Sequence, residues 1–254
     1  MKKHIIAIAT LALGIGAVGM AYASGSEKHP KEMHWAFDGM FGHMDRQAAQ
    51  RGFQVYKEVC SACHGLTRIA FRNLTDLGFS EAEVKALAAT YQIKDGPNDA
   101  GDMFERPGKP SDYFPSPYAN ENQARSIHNG AYPPDLSLII KARPNGANYV
   151  YSLITGYETS PADVSLGANM HYNPYFPGGQ IVMAPPLSDG QVSYEDGTQA
   201  SLDQMAKDVV TFLQWAAEPE MEARKMMGIK TLIFLAVFTI FMYLAKRNLW
   251  HKLH

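Results

Sequence analysis

The chain has two cysteines, and both lie in Cys60-Ser61-Ala62-Cys63-His64, a spacing that narrows what they can do. C-x-x-C-H is the pattern of covalent haem attachment: two thioethers hold the porphyrin, and the adjacent imidazole is carried beneath the iron. A thiol redox pair would open a helix just after a strand, whereas this motif follows an amphipathic run from Gln47 to Val59. Zinc would need a fourth ligand, and no second cysteine pair or H-x3-H supplies one. The motif therefore predicts one covalent haem c, attached at Cys60 and Cys63, with His64 as the proximal iron ligand.

A low-spin electron-transfer haem takes a second axial ligand, and a thioether raises its potential relative to a second imidazole. Met183 sits in Gly178-Gly179-Gln180-Ile181-Val182-Met183-Ala184-Pro185-Pro186, where prolines can stiffen the loop over a flat cofactor. Met103, Met170, His128 and His171 remain open alternatives on local chemistry alone. Met205 falls at helical spacing with Val209 and Phe212 and reads as core, and Met226, Met227 and Met242 belong to an apolar C-terminal segment.

These groups need elements to position them. Gln47 to Val59 is predicted to be a helix with Phe53, Tyr56 and Val59 on one stripe. Ser80 and Glu83 have capping-box spacing before a helix running to Tyr91. Asp95 to Glu105 reads as an acidic surface loop, and Asn120 to Gly130 and Ala147 to Gly156 as short helices closed by glycine. Ser188 to Thr198 alternates around Asp196-Gly197 like a small hairpin. Ser201 caps a helix from Leu202 to Ala217 with Met205, Val209, Phe212 and Ala216 inward, and Pro219 follows it. The pattern is mainly helical with long loops and no βαβ alternation, as suits a domain wrapped around a large cofactor.

The ends carry targeting information. Lys2 and Lys3, the apolar run Ile5 to Met20 and Ala21-Tyr22-Ala23 predict a cleaved signal peptide over residues 1–23. Residues 24–222 form the exported domain, 223–245 a transmembrane helix and 246–254 a cytoplasmic tail containing Lys246, Arg247 and Lys252. The exported segment holds 15 Lys and Arg against 25 Asp and Glu, a formal charge of −10. Such a surface attracts a basic partner and repels nucleic acid.

Longer stretches are specific enough to name a family. Arg51-Gly52-Phe53-Gln54-Val55-Tyr56-Lys57-Glu58-Val59 before the motif and Ala70-Phe71-Arg72-Asn73-Leu74 after it resemble the cytochrome c1 family. So do Asp95-Gly96-Pro97-Asn98, Arg106-Pro107-Gly108-Lys109, Pro133-Pro134-Asp135-Leu136-Ser137, Asn173-Pro174-Tyr175-Phe176 and Trp215-Ala216-Ala217-Glu218-Pro219-Glu220. The resemblance implies a class I cytochrome c core with insertions, anchored in the quinol:cytochrome c oxidoreductase, complex III. In that setting the chain is no enzyme alone: it takes electrons from the Rieske iron–sulfur protein and passes them to a soluble or membrane-tethered cytochrome c. The implied partners are cytochrome b, the Rieske protein, that acceptor and membrane lipid, in a dimer of the whole complex at the bacterial inner membrane with the haem domain in the periplasm. A haem subunit of another respiratory enzyme is the alternative reading.

Carried over by position, the resemblance makes Met183 the distal ligand in Met-Ala-Pro-Pro and places Arg143 and Tyr149 at a haem propionate. Asn129, Pro133 and Pro134 match a haem-contacting loop, where a proline-flanked carbonyl would accept the Nδ1 proton of His64. Some bacterial members have an extra disulfide before the distal methionine. This chain has no cysteines for one, so packing must restrain the Met183 loop.

Overall fold

The computed structural model describes residues 28–251. The predicted signal peptide lies outside them, and so do the last three residues of the tail. The order is α1 (Arg46–Glu58), α2 (Glu81–Ala89), β1 (Gln92–Asp95), β2 (Phe104–Pro107), α3 (Glu121–Ile127), α4 (Gly146–Ile154), β3 (His171–Tyr172), β4 (Gln180–Ile181), α5 (Leu202–Ala217) and α6 (Met221–His251). The fold is mainly helical, with long connections, two-stranded antiparallel pairings and one long apolar C-terminal helix.

Helices α1 and α5 are the frame of the fold. Asp45 begins α1 by accepting the Ala48 N–H at 3.0 Å, and Ser201 begins α5 by accepting that of Gln204 at 3.1 Å, each satisfying a donor the first turn leaves unpaired. The inward stripes are those expected: Phe53 and Tyr56 on α1, and Met205, Val209, Phe212 and Ala216 on α5, are buried. The helices meet at Gly52, where a Cβ would lie 1.9 Å from the Asp208 carbonyl oxygen and 2.8 Å from Phe212 Cβ. Only a hydrogen fits there, so glycine's cost inside a helix is accepted for contact. Beside the crossing, Arg51 Nε and Nη2 donate to the two oxygens of buried Asp208 at 2.9 and 3.0 Å, tying α1 to α5. Phe53 packs on Phe212, Phe114 and Phe79 with ring centroids 5.5, 6.0 and 5.6 Å away, extending the core to the loops after the motif.

Several local expectations are corrected. Ser188 to Thr198 contains no strand pair. Its alternation is real, since Val192 and Tyr194 are buried, but backbone N–H groups along it are met by turn carbonyls and side chains instead of a partner strand. Gln191 Oε1 accepts Ser188 N at 2.9 Å and Asp196 Oδ1 accepts Thr198 N at 2.9 Å. The larger antiparallel pair is β1–β2, with Gln92 opposite Pro107 and Asp95 opposite Phe104. Only its tip is the acidic loop expected over Asp95 to Glu105, because Arg106 pulls Asp95 and Asp112 together at the base. Phe71–Leu77 is a 3-10 stretch that no sequence signal announced. Gly156 does not close α4 by a left-handed turn; the helix ends at Ile154 with Thr155 as its cap, and a Cβ on Gly156 would lie 2.3 Å from the Tyr175 ring. Gly130 does follow a left-handed residue, Asn129, and its N–H reaches the Arg125 carbonyl at 2.8 Å, a Schellman-type end to α3.

Helix α6 is continuous from Met221 to His251 and runs through six residues assigned to the tail by sequence. Its apolar length suffices to cross a membrane.

Candidate haem site

The motif residues lie on the turn that ends α1. Val59 caps α1 with its N–H on the Val55 carbonyl, Cys60–Ala62 tighten into a 3-10 turn, and the N–H groups of Cys63 and His64 both return to the Cys60 carbonyl, at 3.1 and 2.8 Å. Ser61 Oγ donates to the Lys57 carbonyl at 2.7 Å, and Tyr56 reaches the His64 carbonyl at 3.1 Å. Both thiols and the imidazole are thus displayed from one backbone turn. The cysteines are half-buried and unbridged. Burial, and then neighbouring Cys63, push the Cys60 thiol up to about 12, so as a free thiol it stays protonated at neutral pH. That is the opposite of a thiolate poised for disulfide exchange.

His64 Nδ1 lies 2.7 Å from the Pro134 carbonyl oxygen. A carbonyl only accepts, so Nδ1 must carry the proton and Nε2 the lone pair, the form that coordinates a metal. Burial lowers the His64 pKa, partly offset by the Pro134 bond, which favours the neutral ring. The proline loop thus supplies the acceptor expected of it.

The residues that follow Pro134, to which the sequence assigns no role of their own, hold this carbonyl in place. Asp135 Oδ2 accepts from the N–H and hydroxyl of Thr67, both at 2.8 Å, and its Oδ1 accepts the Ser137 N–H at 2.9 Å. Leu136 N–H donates to the Gly65 carbonyl at 2.9 Å, and fully buried Ser137 accepts from Arg68 N at 3.1 Å. Burial alone would raise the Asp135 carboxyl; bonds from Ser137 and Thr67 reverse that, and its pKa falls. The segment after His64 is therefore laced to the segment after Pro134.

The Met183 loop has its own restraints. Met183 is half-buried just beyond β4, and its carbonyl accepts the Tyr157 hydroxyl at 2.9 Å. Burial and then nearby Tyr149 raise the Tyr157 phenol, which brings Tyr149, Tyr157 and Met183 into one neighbourhood. Asn173, fully buried, donates to the Leu153 carbonyl at 2.7 Å and accepts Tyr175 N at 3.1 Å, while its own N–H reaches Gly179 at 2.9 Å. These bonds tie the loop to α4 without a disulfide. Among the alternatives for the second axial position, His128 has Nε2 engaged by the Tyr118 hydroxyl, and Met103 is exposed near the tip of the β1–β2 pair. Burial first, then neighbouring Cys63, push the Tyr118 phenol up to about 12, so this pair lies near the motif.

The remaining expected residues are more open. Arg143 is exposed on the turn before α4, donates to the Ala142 carbonyl at 3.0 Å and pairs with no carboxylate among the described residues. Tyr149 is buried on α4, Pro133 is half-buried, and Asn129 is exposed at the left-handed end of α3. The donor set fits a haem c: two unbridged cysteines, a histidine with Nε2 unengaged among the described residues, and a methionine in a tethered loop.

The family model described as the Cytochrome C1 family matches residues 35–253. A cytochrome c1 of Rhodospirillum rubrum is 47% identical over 98% of this chain and 96% of its own length. A mitochondrial cytochrome c1 haem protein of Arabidopsis thaliana is 49% identical over 95% of this chain and 81% of its own. A Bradyrhizobium diazoefficiens protein named cytochrome b/c1 is 48% identical over 98% of the chain, which spans only 40% of that longer protein. With a family match over nearly all the described residues and such identity across kingdoms, the turn carrying Cys60, Cys63 and His64 has a lineage: this chain belongs to the cytochrome c1 family.

Proposed function

We propose that this chain is the one-electron relay of a quinol:cytochrome c oxidoreductase, accepting from the Rieske iron–sulfur protein and donating to a soluble or membrane-tethered cytochrome c. The observation that carries the reading is the His64 Nδ1 to Pro134 bond of 2.7 Å beside two unbridged cysteines, which leaves Nε2 ready for iron. When bound, one haem c supplies a reversible one-electron couple. Cys60 and Cys63 would fix it covalently, with His64 as the proximal ligand and Met183 as the distal one. Arg143 and Tyr149 would meet a propionate, a guanidinium fork and a phenol being suited to a partly buried carboxylate. Asn129, Pro133 and Pro134 would supply the contacting loop. With both axial positions taken by protein ligands the iron would be closed to substrate and oxygen, so the chain would move electrons and leave quinol chemistry to other subunits.

Assembly with cytochrome b is supported by the names of relatives, the Bradyrhizobium cytochrome b/c1 and a Candida albicans cytochrome b-c1 complex catalytic subunit that is 51% identical over 87% of this chain. The same reading gives a dimer of the whole complex in the inner membrane, with residues 24–222 in the periplasm after loss of residues 1–23, and the tail beyond 245 in the cytoplasm. The test is purification of the chain from its own membranes. Haem staining that survives denaturing electrophoresis, with cytochrome b and the Rieske protein co-purifying, is the expected result. Haem lost on denaturation would overturn the covalent site, and a different set of partners would overturn the complex.

A further inference from the structure

Where α6 leaves the haem domain there is a groove of about 310 Å³, lined by Trp35, Asp38, Asn145, Glu218, Arg224 and Lys225 among others. A liquid water occupies about 30 Å³, so the space exceeds a solvent site. Its height relative to a bilayer follows from α6. The uncharged stretch from Thr231 to Ala245 rises only about 22 Å, short of the ~30 Å hydrocarbon core, so the span must take in Met226 to Ile229 with Lys230 snorkelling. From Met226 to Leu244 the rise is about 28 Å, which sets Arg224 and Lys225 at headgroup level.

The wall carries two cations and two anions, and half of them neutralise one another: Arg224 is bound to Glu218. Outside the wall, Lys141 Nζ also lies 3.8 Å from the second Glu218 oxygen, so of the wall residues Lys225 and Asp38 remain as one charge of each sign. Lys225 Nζ donates to the carbonyls of Phe37 at 2.6 Å and Gly42 at 3.3 Å, with no carboxylate in ion-pair range among the described residues. The Asp38 carboxylate accepts only the Trp35 N–H, at 2.9 Å, among the described residues. The Asn145 side chain makes no capping bond to α4. A purely anionic headgroup would satisfy Lys225 and oppose Asp38. A headgroup bearing phosphate and ammonium answers both.

We propose that this groove binds the headgroup of a zwitterionic glycerophospholipid of the phosphatidylethanolamine class, its phosphate at Lys225 and its ammonium at Asp38. The proposal rests on α6 being the membrane anchor. The experiment uses the full haem-loaded chain in its complex, transferred to nanodiscs of equal phosphatidylethanolamine and phosphatidylglycerol, with retained lipid counted by native mass spectrometry. Lys225→Gln and Asp38→Asn each keep a hydrogen-bonding group while removing the charge, and the haem spectrum reports that the domain is intact. The expected result is retained phosphatidylethanolamine in preference to phosphatidylglycerol, with the preference falling about tenfold in each variant, as for loss of one charge-assisted bond. Equal retention of the two lipids, a preference for phosphatidylglycerol, or variants indistinguishable from the parent would overturn the site. An alkaline wash separates the two readings: a chain released by it fails as an anchored protein and the site falls too, whereas a chain that stays without selecting lipid loses the site alone.

Discussion

His64 and Met183 are held by different means, and that difference predicts how each responds to change. The His64 ring is fixed by a backbone carbonyl, whereas Met183 is fixed through its own carbonyl by Tyr157, leaving its side chain to act independently of the anchor. Met183→Leu should therefore keep the loop and remove only the sulfur. The midpoint potential is expected to fall on the order of 0.1 V, within the ~0.8 V range that axial ligation spans, measured by redox titration of the haem bands. An unchanged potential would mean that the sulfur is not the ligand. Cys60, Cys63 and His64 were legible because their spacing is local chemistry. The roles of Tyr157, Asn173, Asp135 and Ser137 were not: each acts through a bond to a residue far off in sequence, and even where Asn173, Asp135 and Ser137 stand in family-like stretches nothing local marks such a bond.

At the scale of elements, the α1–α5 crossing leaves no room for a methyl group. Gly52→Ala would put a Cβ against a backbone carbonyl of the partner helix, which cannot swing away like a flexible side chain. Overpacking costs about 1–3 kcal/mol, and this contact belongs at the upper end, read as a lowered thermal midpoint with the haem still attached. The β1–β2 pair is tested by acid. Arg106 holds the Asp112 carboxyl at about 2, below its ordinary 3.8. Folding is therefore favoured while Asp112 is ionised, and that contribution drains away as pH falls from about 4 toward 2. Asp112→Asn should flatten this part of a pH–stability curve followed by thermal melting, and an unaltered slope would count against the pair. Helices α1, α2 and α5 were readable from caps and apolar stripes, signals written within each segment. β1–β2 was hidden because Arg106 joins charges that look like a solvated loop, and Ser188 to Thr198 misled because Val192 and Tyr194 alternate without a partner strand.

For the whole molecule, a formal charge of −10 over residues 24–222 predicts fast capture of a basic cytochrome c at low salt. Reduction of the acceptor by the purified complex should slow as ionic strength rises past about 0.1 M, where the Debye length is about 10 Å. A flat dependence in stopped-flow rates would remove the steering role. Asp99, Asp102 and Glu105 are exposed and remain available to it, while Asp95 is bound to Arg106. The root of α6 bears on the same traffic. Three residues separate α5 from α6, Met221 is buried, Glu222 accepts Met44 N at 2.7 Å, and Lys225 grips the loop carbonyls of Phe37 and Gly42. These contacts fix the head to the root of its stalk, so with α6 as the proposed membrane anchor the head is held as a fixed post. On the proposed relay, the travel falls to the carriers on either side, and the pace of electron flow is set by how quickly they reach the post and leave it.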